Sequence, residues 1–107
     1  MGLFGIFRHN DINAGVDKYA ATRGAVLIDV RTPSEFAEGH IEGSKNIPLQ
    51  SIHTAESAVA DKNSPLFVYC LSGARSRSAV RALRNLGYSD VTDLGGIMHY
   101  NGKVVRQ

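Results

Sequence analysis

Residues 69–78 read YCLSGARSRS and contain the only cysteine of the chain, Cys70. The apolar run LFVY at 66–69 predicts a buried strand before it, and apolar residues at helical spacing between positions 79 and 86 predict a helix after it. Only a short, glycine-containing turn separates the two. A helix begins with N–H groups that lack intrahelical partners, so an anion is stabilised there. The segment therefore predicts a thiol held over a helix N-terminus.

Cys70 has two interpretations. A lone free cysteine is commonly a buried structural residue. Here the glycine turn and Arg75, five positions further on, favour the thiolate form, because a cation and a helix N-terminus both stabilise it. We therefore predict that Cys70 is a nucleophile.

The segment CLSGARS at 70–76 resembles the active-site loop of rhodanese-like domains, the sulfurtransferases that carry sulfur as a cysteine persulfide. Three further segments are similar to the signatures of that family, in the same order: LIDVRTPSEF at 27–36, GHIEGSKNIP at 39–48 and LGG at 94–96. The sequence departs from the family pattern at Glu42 and Ser44, where proline and alanine are usual, and at Ile97, where tryptophan is common. These departures concern the expected rim of the active site.

The resemblance implies a rhodanese-like α/β fold with a central, mainly parallel five-stranded sheet and helices on both faces. The alternation of strand and helix patterns along the chain favours the same class. We expect an N-terminal arm at 1–10 and one rhodanese-like domain at 11–107. Ligands of such sheets bind beyond the carboxyl ends of the strands, where the Cys70 loop is predicted to lie.

The resemblance also implies the reaction of a thiosulfate sulfurtransferase without metal or organic cofactor. Cys70 would take sulfane sulfur from thiosulfate or a similar small anion and pass it to cyanide or to a thiol or protein acceptor. The expected substrate-binding residues are Leu71, Ser72, Gly73, Ala74, Arg75 and Ser76. Because the chain has no second cysteine, the acceptor must come from outside.

The other polar candidates are predicted to be structural. Asp29 and Arg31 end an apolar strand, and charges near a core are usually paired, so we expect structural support from them rather than catalysis. His40 receives the same interpretation. Three arginines after the loop share one helix face and favour a solvated surface over a docking site; they are Arg77, Arg81 and Arg84.

Two alternatives stay open. The first is a cysteine phosphatase or arsenate-reductase-like enzyme, but that loop has five residues between cysteine and arginine, and only four intervene here. A phosphatase also needs a carboxylic acid, and the nearest acids in sequence to the loop are Asp61 and Asp90. The second is a non-enzymatic sulfur-delivery or binding module, which the sequence permits.

Composition fits one soluble domain of 107 residues, with 43% hydrophobic residues and a net charge of +2. That charge is too small to indicate nucleic acid or a membrane surface as a partner. A single cysteine forms no internal disulfide, and the four histidines are too scattered to indicate a metal site. The apolar start of the chain is too short for a secretory signal, so we expect a cytoplasmic protein.

Overall fold

The computed structural model describes residues 11–107, so the predicted N-terminal arm at 1–10 lies outside the described residues. The strands, in chain order, are β1 (Val26–Asp29), β2 (His40–Ile41), β3 (Lys45–Asn46), β4 (Leu66–Cys70), β5 (Val91–Gly96) and β6 (Val104–Val105). The helices are α1 (Ile12–Ala21), α2 (Pro33–Glu38), α3 (Ala55–Ala58) and α4 (Ala74–Asn85), with 3-10 segments at Leu49–Thr54 and Ile97–His99.

The main sheet has four strands in the order β3-β1-β4-β5, and every pairing in it is parallel. This confirms the α/β class, but the predicted number of five strands is wrong for the described part of the chain. The remaining strands, β2 and β6, pair with each other in a separate antiparallel ribbon. In this ribbon His40 lies opposite Val105 and Ile41 lies opposite Val104.

The main sheet buries both faces, as parallel sheets do. Along β4 the side chains alternate, and Val68 and Cys70 belong to one core cluster while Phe67 and Tyr69 belong to the other. Helix α4 packs its buried residues on the first face, and α1 contributes Ile12 to the second. Each large apolar side chain buried in this way stabilises the fold by roughly 1.5–3 kcal/mol. The alternation places Cys70 on the α4 side of the sheet.

Side-chain hydrogen bonds from nearby residues cap the N-termini of two helices. Helix α2 begins with a capping box: the Thr32 hydroxyl accepts the Glu35 N–H, and the Glu35 carboxylate accepts the Thr32 N–H. Helix α1 is capped by Asp11, whose carboxylate accepts the N–H groups of Asn13 and Ala14. None of the described helices is long and apolar enough to cross a membrane.

Candidate active site

Cys70 is the last residue of β4, and α4 begins four positions later. The turn depends on Gly73, which caps α4 with φ of +115°, a conformation that residues with a Cβ rarely adopt. Cys70 itself is only 1% exposed, so the thiol lies beneath the turn rather than on the surface. The strand–turn–helix arrangement predicted from the sequence is confirmed.

Two backbone N–H groups point at the sulfur. The N–H of Gly73 donates to Cys70 Sγ at 3.0 Å, and the N–H of Ser76 donates at 3.3 Å. Ala74 and Arg75 are the first two residues of α4, whose N–H groups have no intrahelical acceptor. The loop therefore directs backbone N–H donors at Sγ, an arrangement of the kind that binds anions.

Of the remaining loop residues, one holds the turn in place and two lie at the protein surface. Ser76 is fully buried, and its hydroxyl donates to the Gly73 carbonyl at 3.0 Å, which fixes the turn from inside. Leu71 and Ser72 are exposed at the outer side of the loop. Of the predicted substrate-binding side chains, Leu71 is thus presented to solvent while Ser76 is occupied within the loop.

The guanidinium of Arg75 forms a two-pronged ion pair with Glu35, at 2.8 Å from Nη1 to Oε1 and 3.0 Å from Nη2 to Oε2. We expected this side chain to bind the substrate, but it donates to a carboxylate of α2. The hydrogen bonds from Arg75 lower the pKa of Glu35 to about 2, and those to Glu35 raise the pKa of Arg75. Sequence reasoning missed Glu35 as a site residue, although it lies in the DVRTPSEF signature, because 40 positions separate it from Arg75.

The contact between Glu35 and Arg75 corrects one of the arguments against a phosphatase, the lack of a nearby carboxylic acid. We expected no acid near the loop, and the fold brings Glu35 onto Arg75. With a pKa of about 2, however, Glu35 is ionised at neutral pH and holds no proton to give to a leaving group.

Asp29 and Arg31 form a second pair, at the carboxyl end of β1. Arg31 Nη2 lies 2.7 Å from Asp29 Oδ2 and 2.7 Å from the carbonyl oxygen of Gly39. Asn46 completes the cluster by donating to the carbonyls of both residues. Burial opposes the charge of Arg31, but the hydrogen bonds and charge of Asp29 raise its pKa.

The two other groups of candidates make no hydrogen bond to either pair in the described residues. His40 stacks on Phe36 with ring centroids 3.7 Å apart, and its Nδ1 lies 2.8 Å from the Phe36 carbonyl. Arg77 and Arg81 are exposed on α4, and Arg84 donates to the carbonyl of Val91 at 3.0 Å.

An open depression of about 400 Å³ adjoins the loop. Its lining residues are Arg31, Glu35, Glu38, Gly39, Leu71 and Ile97. Ile97, one of the departures from the family pattern, therefore does lie at the rim, as expected. The next residue, Met98, is 61% exposed and donates its N–H to the Leu71 carbonyl at 3.2 Å.

Gly96 is a second residue that the site requires and that sequence reasoning did not include. It pairs with Cys70 in the sheet, after an irregularity in the β4–β5 register in which β5 carries one extra residue. A Cβ at Gly96 would lie 2.2 Å from the Leu71 carbonyl oxygen. Only glycine therefore allows β5 to pass so close behind the loop.

No cluster of three or more potential metal ligands occurs within residues 11–107. The fold and the loop together define an α/β domain with a buried strand-end cysteine that accepts two backbone N–H groups. The family model described as "Rhodanese-like domain" matches residues 13–103. The chain belongs to the rhodanese-like domain family.

Individual relatives agree with this assignment. The chain is 39% identical over 71 residues to the Escherichia coli protein named thiosulfate sulfurtransferase PspE, covering 65% of this chain and 68% of that protein. It is 40% identical over 87 residues to the Bacillus subtilis protein YqhL, covering 79% of this chain and 68% of that protein. The solved structure described as "rhodanese with anions from E. coli" superposes with a TM-score of 0.73 at 34% identity, covering 78% of this chain and 99% of that one.

Proposed function

We propose that this protein is a sulfurtransferase that carries sulfane sulfur as a persulfide on Cys70. The observation that carries the proposal is the pair of N–H groups, from Gly73 and Ser76, that donate to Cys70 Sγ. Such donors stabilise a thiolate before the reaction and a polarised terminal sulfur after it. Relatives named thiosulfate sulfurtransferases, at about 40% identity, support sulfur transfer as the class of reaction.

The first step loads the enzyme. The Cys70 thiolate attacks the outer sulfur of thiosulfate, or of a similar small donor, and forms a new S–S bond. The S–S bond of thiosulfate breaks, and sulfite leaves with the electron pair. The N–H groups of Ala74 and Arg75, at the start of α4, are available to the terminal sulfur.

The second step transfers the sulfur from the enzyme to an acceptor. Cyanide or a thiol attacks the terminal sulfur, the bond to Sγ breaks, and the Cys70 thiolate leaves with the electron pair. This is covalent catalysis in two steps without a resident cofactor. A thiol that must stay reduced fits a reducing compartment such as the cytoplasm.

In this proposal each part of the loop has a different role. The backbone from Leu71 to Ser76 forms the ring of donors, Ser76 fixes the turn, and Leu71 forms the entrance. Arg75 adds positive charge beside the ring, and the Asp29–Arg31 pair supports the neighbouring strand end from beneath.

Intact mass spectrometry tests the proposal. Thiosulfate should add one sulfur atom to the protein, and cyanide should remove it with release of thiocyanate. The variant Cys70→Ser, which keeps the size of the side chain, should fold normally and should neither gain mass nor turn over thiosulfate. Aryl phosphate hydrolysis should stay at background.

Other results would reject the proposal in a defined way. Turnover of aryl phosphate through a phosphocysteine would identify a phosphatase. A persulfide that forms only from a partner protein and never turns over with a small acceptor would identify a delivery module. A Cys70→Ser variant that retained sulfur transfer would exclude Cys70 as the carrier.

A further inference from the structure

We propose that Glu35 is a positioning residue of the Cys70 loop, which acts through Arg75 and also sets the preference of the site for the charge of its reactant. This inference rests on the proposed function, in which Cys70 is the nucleophile. The relevant observation is that one carboxylate joins α2 to the first turn of α4.

Glu35 is itself held rigidly. Its Oε1 accepts the Thr32 N–H at 2.9 Å and the Thr32 hydroxyl at 3.1 Å, in addition to Nη1 of Arg75 at 2.8 Å. The capping box fixes the carboxylate, and the carboxylate in turn fixes the guanidinium. A bidentate pair of this kind restrains direction as well as distance.

The restraint that Glu35 places on Arg75 is passed to the sulfur through the backbone of the next residue. Arg75 immediately precedes Ser76, whose N–H donates to Cys70 Sγ. The Arg75 and Glu35 side chains are 35% and 29% exposed, and such pairs contribute only about 0–1 kcal/mol to stability. Loss of the pair should therefore change the geometry of the donors around Sγ more than it changes the fold.

The same carboxylate neutralises the cation of the loop. Glu35 lies between Arg75 and the open depression, which it lines together with Leu71. With Glu35 present, an approaching anion meets an ion pair instead of a free guanidinium. Without it, the positive charge of Arg75 is exposed beside the entrance.

The variant Glu35→Gln should thus produce two opposite kinetic effects. We expect kcat for thiosulfate to fall by about tenfold to a hundredfold, the size of effect that a small misplacement of catalytic groups produces. We expect KM for thiosulfate, a dianion, to decrease severalfold. A variant that was merely partly unfolded would lose kcat with no decrease in KM.

Two control variants isolate the contact. Glu38→Gln removes the same charge from the same depression but leaves the Glu35–Arg75 pair intact, and it should keep kcat within about twofold of wild type. Thr32→Ala keeps both charges of the pair but removes the hydroxyl that donates to Glu35 Oε1 and caps α2. It should lower stability by about 0.5–2 kcal/mol, reduce kcat by less than Glu35→Gln does, and leave KM unchanged, because the charge beside the entrance is the same.

A double-mutant cycle with Arg75→Gln tests whether Glu35 acts through Arg75. If it does, the double variant has the same kcat as Arg75→Gln alone. Additive losses, an unchanged kcat in Glu35→Gln, or a KM that rises would each overturn the proposal.

Alkylation of Cys70 separates failure of this inference from failure of the proposed function, because it needs no sulfur donor. The ratio of the rate constants for anionic iodoacetate and neutral iodoacetamide should rise in Glu35→Gln. In Glu35→Asp, which keeps the charge but is too short for the same geometry, both rates should fall at an unchanged ratio. If the ratio does not change in Glu35→Gln, the inference is wrong, whether or not thiosulfate loads the enzyme.

Discussion

Residues 11–107 contain two arginine–carboxylate pairs near the carboxyl ends of neighbouring strands, and the two pairs differ in sequence separation and in exposure. In the Asp29–Arg31 pair the partners are two positions apart, and their side chains are 0% and 6% exposed. In the Glu35–Arg75 pair the partners are 40 positions apart, and about a third of each side chain is exposed.

The environment of each pair explains what it does. Around Asp29 and Arg31, carbonyls and the Asn46 amide satisfy the remaining polar groups, and no buried side-chain nitrogen or oxygen lacks a partner in residues 11–107. Around Arg75, by contrast, the adjacent N–H groups surround a sulfur and the pair borders an open depression. The closed cluster is sealed inside the fold, whereas the partly open pair adjoins the loop that holds Cys70 Sγ.

The largest effect on stability should come from the buried pair. Asp29→Asn removes one charge and leaves Arg31 buried without a counterion, which typically destabilises a protein by about 3–5 kcal/mol. Urea denaturation should show this loss, while Glu35→Gln should lose no more than about 1 kcal/mol. Equal losses in the two variants would mean that burial does not distinguish the pairs.

The largest effect on activity should come from the partly exposed pair. Arg75→Lys keeps the charge but replaces a planar fork by a single ammonium group, which cannot make both hydrogen bonds to Glu35 in the same geometry. We expect most of the thiosulfate:cyanide activity to disappear while stability changes by less than about 1 kcal/mol. Near wild-type rates in this variant would show that a point charge at position 75 is enough.

A smaller effect should appear in the pH dependence of stability. The folded-state pKa of Glu35, about 2, is below its ordinary value of 4.5, so the ionised carboxylate stabilises the fold. That contribution is complete above about pH 4.5 and is lost as the pH falls towards 2. Wild type should therefore lose more stability than Glu35→Gln over this range, as measured by denaturation at several pH values. Parallel curves for the two proteins would contradict the pairing in solution.

Local sequence was informative where the interaction is local. The strand, turn and helix around Cys70 followed from apolar spacing and a glycine, signals that all lie within about twenty residues. The number of strands in the main sheet was less predictable, because two-residue segments such as β2 and β6 carry almost no periodicity. Their pairing brings together segments more than sixty positions apart in the sequence.

The sequence by itself determined the strand-end position of Cys70, the helix that starts after its loop and the class of fold, because each depends on neighbouring residues and on backbone geometry that a few side chains dictate. Only the tertiary structure decided which carboxylate faces Arg75 and why position 96 must be glycine. Both depend on backbone segments from distant parts of the chain coming within contact distance: α2 meets α4 through Glu35, and β5 passes behind the loop at Gly96. No pattern within a single segment predicts a contact between distant segments, because that contact stabilises the protein only after the sheet has assembled.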